Sequence, residues 1–117
     1  MIQKYLNRIH FALNGIKHAA LNDLGFRSQL YFGALVLFVV LAFLLPLDRM
    51  ETLFIILSYF LILITELQNS AIEAALDQLH PGLNDHIGIS KDMAAGAVLL
   101  AGLFLLITLV VIGWPRI

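Results

Sequence analysis

Cysteine is absent from this 117-residue chain, and charged residues are scarce. Without cysteine the protein has no disulfide, no thiolate nucleophile and no zinc–thiolate site. Charged residues make up 13% of the sequence and the formal net charge is −1, so no basic surface indicates a nucleic-acid partner. Both familiar glycine-rich nucleotide loops, Gly-x-x-x-x-Gly-Lys-Ser/Thr and Gly-x-Gly-x-x-Gly, are also missing. Any nucleotide must therefore be held in another way.

Hydrophobic residues, by contrast, make up 61% of the sequence, which is too many for an ordinary soluble domain of this size. Uncharged runs extend from Leu30 to Leu47 and from Met93 to Trp114, and either is long enough to cross a hydrocarbon core of about 30 Å as a helix. A shorter run from Thr52 to Thr65 reaches spanning length if the helix continues past Glu66 to Ala75. The composition therefore predicts an all-α membrane protein.

We predict a single domain, residues 1–117, with an amino-terminal surface helix and three membrane helices. Residues 1–22 have apolar side chains every three or four positions and basic or amide side chains between them, which is typical of an amphipathic helix on a membrane surface. Such a helix can alternatively pack on a neighbouring subunit. The membrane helices are predicted at residues 28–47, 51–79 and 91–114. Gly25 is expected to mark a turn before the first of them, and Ser90 to cap the last.

The distribution of basic residues predicts the orientation of these helices. Most lysines and arginines precede the first membrane helix, whereas the first loop has only Arg49 and the carboxyl-terminal tail only Arg116. Basic residues accumulate on the cytoplasmic side of membranes, so the amino terminus is expected in the cytoplasm. With three membrane helices, the loop between the second and third helices then faces the cytoplasm too, where ATP and Mg²⁺ are available.

A stripe of polar side chains runs along the second membrane helix where it leaves the apolar region. At 3.6 residues per turn, Glu66, Asn69, Glu73 and Asp77 fall within an arc of about 80°. An acid inside the bilayer costs about 2.5–3.5 kcal/mol on insertion scales, so Glu66 is a functional candidate. Glu73 lies about 10 Å farther along the helix, where carboxylates can hold Mg²⁺ together with substrate phosphates. The stripe predicts cation binding or the transfer of protons or phosphoryl groups.

Four further charged residues are candidates for the same site. Asp23, before the first membrane helix, is either an additional metal ligand or an ordinary helix cap. Arg27 is expected to be an interfacial anchor or an ion-pair partner. Lys91 and Asp92 form a pair at the start of the third membrane helix, where the lysine can neutralise phosphate charge, although such pairs also serve simply as anchors.

The segment Glu66-Leu-Gln-Asn-Ser-Ala-Ile-Glu-Ala-Ala-Leu-Asp77, followed by Lys91-Asp92-Met-Ala-Ala-Gly-Ala-Val98, resembles the signature of a known family. This is the family of small bacterial membrane lipid kinases that includes prokaryotic diacylglycerol kinase and undecaprenol kinase. The segments Phe11-Ala-Leu-Asn-Gly-Ile-Lys17 and Phe26-Arg27 resemble its amino-terminal part, so the similarity covers nearly the whole chain. The chain departs from the family pattern at Asp23, where a glutamate is usual, and at Gln68, where an apolar residue is common.

The resemblance implies ATP-dependent phosphorylation of a lipid alcohol in the bacterial inner (cytoplasmic) membrane, by a homotrimer whose sites combine neighbouring subunits. Glu66 would then be the catalytic base, and Asn69 would position the reacting groups. Glu66 and Arg27 would contact the lipid substrate, while Glu73 and Asp23 would hold Mg²⁺. The nucleotide would be bound by Glu73, Asp77, Lys91 and Asp92.

Three alternatives accompany this interpretation. Diacylglycerol is the expected acceptor, giving phosphatidic acid, but undecaprenol also presents a primary hydroxyl, and the amino-terminal segment is more similar to the undecaprenol-type members. A small proton-coupled transporter would also use a membrane acid such as Glu66, but it would not require Lys91 and Asp92. A non-catalytic scaffold, held by the small-residue pairs Ala71/Ala75 and Ala97/Ala101, would leave the acidic stripe unexplained.

Overall fold

The computed structural model describes residues 1–82 and 84–116, which form four α-helices followed by a short 3₁₀ helix. No strand occurs within these two ranges. Three helices, Leu24–Phe43, Arg49–Leu79 and Asp85–Arg116 with the 3₁₀ turn included, are long and apolar enough to cross a membrane. The predicted all-α class, with an amino-terminal helix and three helices able to span a membrane, is confirmed. The elements are α1 (Ile2–Asn22), α2 (Leu24–Phe43), α3 (Arg49–Leu79), α4 (Asp85–Gly113) and the 3₁₀ helix Trp114–Arg116.

Side-chain caps decide where α2 and α3 begin. The carboxylate of Asp23 accepts a hydrogen bond from the backbone N–H of Phe26 at 2.8 Å, so α2 starts at Leu24 instead of the predicted residue 28. It also ends earlier, at Phe43 instead of residue 47, because the residue before Pro46 is disfavoured in helical geometry. Asp48 and Glu51 form a reciprocal capping box, and α3 begins between them at residue 49.

The predicted start of α4 was wrong by about six residues. Asn84 is the cap, because its side-chain oxygen accepts hydrogen bonds from the backbone N–H groups of His86 and Ile87 at 2.9 and 3.2 Å. Ser90 lies inside the helix, and its hydroxyl donates to the carbonyl oxygen of His86 at 3.0 Å. Lys91 is therefore a residue of the second turn, with a complete helical turn on its amino-terminal side.

The α3 helix is central and packs against both α2 and α4. Its buried face includes Ile55, Ser58 and Ile62. The Ser58 hydroxyl lies 3.3 Å from the Thr108 hydroxyl of α4, and the Tyr59 hydroxyl donates to the carbonyl oxygen of Leu30 in α2 at 2.6 Å. Such polar contacts join membrane helices where no hydrophobic effect drives them together. They fix how α2 and α4 sit around the acid-bearing helix.

The α1 helix has little protein cover, since Ala19 is its only buried residue. The apolar side chains that define its hydrophobic face, among them Ile2, Leu6, Ile9 and Leu13, are exposed. An uncovered apolar face opposite basic and amide residues suits a helix lying in the headgroup region. The predicted surface helix over residues 1–22 agrees with the observed bounds of α1.

The length of α3 determines the depth of the polar stripe. Its 31 residues span about 46 Å, whereas the hydrocarbon core is about 30 Å thick. At the Arg49 end, the Arg116 guanidinium makes two 3.0 Å bonds to the Glu51 carboxylate and a third 3.0 Å bond to the Pro46 carbonyl oxygen. If that end lies at one membrane boundary, Glu66 would lie just inside the other boundary and Glu73 beyond it.

Candidate active site

The candidate site lies at the carboxyl-terminal half of α3, where α2 begins on one side and α4 on the other. The polar stripe supplies Glu66, Asn69, Glu73 and Asp77. The start of α2 contributes Asp23 next to Glu66, and α4 contributes Lys91 next to Asp77. The described part of the chain places these six predicted residues, with Arg27 in the first turn of α2 and Asp92 beside Lys91, at one end of the bundle.

The carboxylate of Glu66 lies against the first turn of α2. A Cβ atom built on Gly25 would collide with Oε1 of Glu66 and would lie 3.4 Å from its Cδ. The carboxylates of Asp23 and Glu73 are the charged groups that act on Glu66, and both repel its negative charge. An added cation or proton would relieve this repulsion.

Asp23 is held by two hydrogen bonds to the same oxygen. Its Oδ2 accepts from the backbone N–H of Phe26 at 2.8 Å and from the hydroxyl of Ser70 at 2.6 Å. The first bond caps α2, and the second ties the α1–α2 junction to α3. Asp23 thus has the capping role that its sequence context allowed, and its other carboxylate oxygen is left for a ligand.

Asn69 has an unsatisfied amide oxygen. Its Nδ2 lies 3.5 Å from Oε1 of Glu73, whereas its buried Oδ1 accepts no hydrogen bond from any described residue. A buried polar group without a partner costs about 1–3 kcal/mol. The amide turns its Nδ2 toward Glu73, so Oδ1 is left as a buried acceptor without a partner among the described residues.

The carboxylate oxygens of the site suit an Mg²⁺ ion that is shared with substrate phosphates. Among residues 1–82 and 84–116, no three His, Asp or Glu side chains are close enough together to enclose a metal ion. Protein-only cages are nevertheless unusual for Mg²⁺, which is commonly held by one or two carboxylates plus substrate phosphates. Glu73, an exposed carboxylate near the end of α3, suits that shared type of coordination.

At the water-facing end, the ammonium group of Lys91 forms an ion pair with Asp77 and joins α4 to α3. The lysine side chain is 35% exposed and the aspartate 63%, so both groups are accessible to a ligand. Arg27 and Asp92 are exposed as well, and neither makes a side-chain hydrogen bond or ion pair with another residue that the structure describes. The roles of these two residues in the site stay predictions.

Two residues of the site were missed by the sequence reasoning. Ser70 holds Asp23, and its only signal was its place one turn after Glu66 within the polar segment. Gly25 was expected to mark a turn, yet it is the second residue of α2, and no glycine in the described residues has a positive φ. Gly25 therefore matters for the room that it leaves to the Glu66 side chain, and a sequence pattern does not reveal such a contact.

Taken together, the fold and the site define a small all-α protein with three helices able to span a membrane and an acidic stripe at one end of the longest α-helix. Residues 10–113 match the family of prokaryotic diacylglycerol kinases. The chain is 34% identical to the diacylglycerol kinase of Escherichia coli (strain K12) over 106 residues, which is 91% of this chain and 85% of that protein.

Two other relatives are similar over much of the chain. The diacylglycerol kinase of Pseudomonas aeruginosa is 30% identical over 116 residues, covering 99% of this chain and 89% of the relative. That of Synechocystis is 36% identical over 95 residues, covering 80% of this chain and 53% of the relative. The chain belongs to the prokaryotic diacylglycerol kinase family, and the resemblance noted from the sequence is confirmed.

Proposed function

We propose that this protein is a lipid kinase that transfers the γ-phosphoryl group of ATP to diacylglycerol, giving phosphatidic acid and ADP. The observation that carries the proposal is the family match over residues 10–113, which contains the entire polar stripe of α3. The relatives named above are diacylglycerol kinases, so diacylglycerol is preferred over undecaprenol as the acceptor.

Glu66 is assigned as the general base. Its carboxylate takes the proton from the lipid hydroxyl while that oxygen attacks the γ-phosphorus, and the bond from this phosphorus to the bridging oxygen of ADP breaks. A lipid alcohol lies at the membrane interface, and a spanning α3 with Arg49 at the far boundary would have Glu66 just inside this one. The depth of the base therefore agrees with the depth of the acceptor.

Asn69, Glu73 and Asp23 are assigned to the phosphate and metal region. Mg²⁺, when bound, neutralises phosphate charge during the transfer. Glu73 and the free oxygen of Asp23 would hold it together with the phosphate oxygens of the nucleotide. Since phosphoryl transfer depends chiefly on positioning and charge stabilisation, no covalent role for the protein is required.

Lys91, Asp77 and Asp92 are assigned to the nucleotide. Lys91 is partly exposed beside Asp77, so its ammonium group can shift from the carboxylate to a phosphate oxygen without unfolding the helix. Asp77 then holds the lysine near the site while no nucleotide is bound. Arg27 is assigned to the lipid headgroup, because it is exposed near the start of α2 at the membrane boundary.

A homotrimer in the bacterial inner membrane, with a cytoplasmic amino terminus, completes the proposal. Ala71 and Ala75 form an exposed small-residue pair on α3, which suits close contact with a helix of another subunit, whereas Ala101 is already buried within the chain. A neighbouring subunit can also provide the donor that Asn69 lacks. The concentration of basic residues before α2 supports the orientation.

The proposal is tested by the transfer of labelled γ-phosphate from Mg·ATP to diacylglycerol and, separately, to undecaprenol in mixed micelles. We expect labelled phosphatidic acid with the wild type and a loss of transfer in Glu66→Gln. If only undecaprenol were labelled, it would take the place of diacylglycerol as the proposed acceptor, and the proposed phosphoryl transfer would be retained. A folded wild-type protein that labels neither lipid would contradict the kinase assignment and favour the transporter alternative.

A further inference from the structure

The backbone conformation of Gly25 does not require glycine. It is the second residue of α2, and none of the glycines in the described segments has a positive φ. Glycine within a helix is less favourable than alanine by about 0.5–1 kcal/mol. An alanine at this position would therefore favour the local helix, and the reason for glycine must lie in what surrounds it.

What surrounds Gly25 is the carboxylate of Glu66. A methyl group on Gly25 would overlap Oε1 of Glu66, while Oδ2 of Asp23 lies at 3.7 Å, an ordinary contact distance. The same construction at Gly15, Gly88, Gly96 and Gly102 finds no atom within 4 Å. At Gly33 an added Cβ would collide with the Tyr59 ring at 2.7 Å, so the feature that distinguishes Gly25 is that its neighbour is an acid of the candidate site.

The helix bearing Gly25 is not free to move away. Ser70 is one turn after Glu66 on α3, and its hydroxyl bonds to Asp23 at 2.6 Å, directly before the first residue of α2. This hydrogen bond holds the start of α2 against α3, next to the contact between Gly25 and the Glu66 carboxylate. An added methyl group would therefore displace the end of the flexible Glu66 side chain rather than separate the two helices.

We infer that Gly25 is a positioning residue, whose lack of a side chain lets the Glu66 carboxylate lie against the first turn of α2 beside Asp23. The kinetic part of this inference rests on the proposed function, whereas the structural part does not. A larger residue at this position would leave the helices intact and move the base away from the acceptor hydroxyl.

The test compares Gly25→Ala with Gly88→Ala, a matched substitution in the first turns of α4 where a methyl group meets open space. Both full-length variants are treated with dicyclohexylcarbodiimide, which modifies carboxyl groups at membrane depth, and labelling of Glu66 is followed by mass spectrometry. We expect faster labelling in Gly25→Ala, because its carboxyl group is displaced, and wild-type labelling in Gly88→Ala.

Lipid phosphorylation is measured on the same preparations. A displacement of about 1 Å can cost on the order of 100-fold in rate, so we expect kcat of Gly25→Ala to fall tenfold to 100-fold, as estimated from that scale, with an unchanged KM for ATP. Its thermal stability should equal or exceed that of the wild type. A folded Gly25→Ala protein with wild-type labelling, or with wild-type kcat, would overturn the inference.

Glu66→Asp, introduced alone and together with Gly25→Ala, keeps the inference testable if the single glycine variant fails to fold. The shorter acid retracts from α2, so the methyl group should have a smaller effect on stability and labelling of the acid at position 66 in that background. A double variant that also fails to fold would mean that the methyl group meets something else, and the inference would be wrong. Altered labelling in a protein whose wild type lacks kinase activity would contradict the proposed function but support the displacement.

Discussion

The two ends of α3 differ in how completely their polar groups are partnered. At the Arg49 end, the Arg116 guanidinium bonds to both oxygens of Glu51, to the carbonyl oxygen of Pro46 at 3.0 Å and to that of Ile112 at 2.6 Å. The capping box of Asp48 and Glu51 satisfies the first backbone groups of the same helix. Little remains there for a ligand to bind.

The opposite end keeps its polar groups available. Glu66 rests on the backbone at Gly25, Asn69 has a buried oxygen without a partner among the described residues, and Glu73 has only a 3.5 Å contact to the Asn69 amide. Closely spaced acids repel each other and lower stability unless a cation is bound. The comparison indicates that one end holds the bundle together and the other accepts charged ligands.

The largest effect is expected from removing the proposed base. Glu66→Gln keeps the size of the side chain and removes its charge, so helix packing should persist while kcat for lipid phosphorylation falls by about 10²–10⁴-fold. Initial rates with saturating Mg·ATP, together with a thermal unfolding curve, measure both properties. Substantial residual activity in the folded variant would mean that the acidic end does not supply the base.

A smaller effect is expected from the proposed metal ligand. Glu73→Gln removes one carboxylate charge, and we expect the Mg²⁺ concentration for half-maximal activity to rise by roughly 10–100-fold, the scale found when even indirect metal partners are lost. Glu51→Gln is the matched control at the opposite end of α3. Equal Mg²⁺ requirements in Glu73→Gln and the wild type would remove this residue from the metal site.

The hydrogen bond between Ser70 and Asp23 should contribute more modestly. Ser70→Ala removes the hydroxyl that joins the α1–α2 junction to α3, and a typical hydrogen bond contributes about 0.5–1.5 kcal/mol to the free energy of unfolding. We expect lower stability in detergent and a reduced kcat, with Ser70→Thr as a control that retains the hydroxyl. An alanine variant as stable as the wild type would show that the junction is held by packing alone.

How far the sequence predicts this molecule differs between its fold and its site. Hydropathy and periodicity predicted the surface helix and the number of membrane helices, because each depends on residues close together in the chain. The predicted helix ends were less accurate. Asp23 and Asn84 cap α2 and α4, so both helices begin several residues earlier than predicted. Several residues can cap a helix, and only the backbone geometry decides which one does.

Within the site, the α3 stripe was predictable because its members share one helix face. The contacts of Asp23 with Ser70 and of Glu66 with Gly25 connect different helices. A single sequence does not specify which residues of two packed helices lie opposite each other. The roles of Arg27 and Asp92 stay predictions for the same reason. They were assigned to the site from the family resemblance, and the described single chain leaves both exposed.

The two variants with the smallest expected effects should distinguish the two ends of α3 most clearly. Lys91→Ala removes an exposed ion pair, which contributes less than about 1 kcal/mol to stability, so the unfolding temperature should barely change while KM for ATP rises. Arg116→Ala should act in the opposite way, because the guanidinium holds α4 to the start of α3 but lies far from the stripe. Its unfolding temperature should fall while KM for ATP stays at the wild-type value. If Lys91→Ala instead lowered stability without altering KM, the lysine would be an anchor, and the difference between the two ends of α3 would be confined to the region from Glu66 to Glu73.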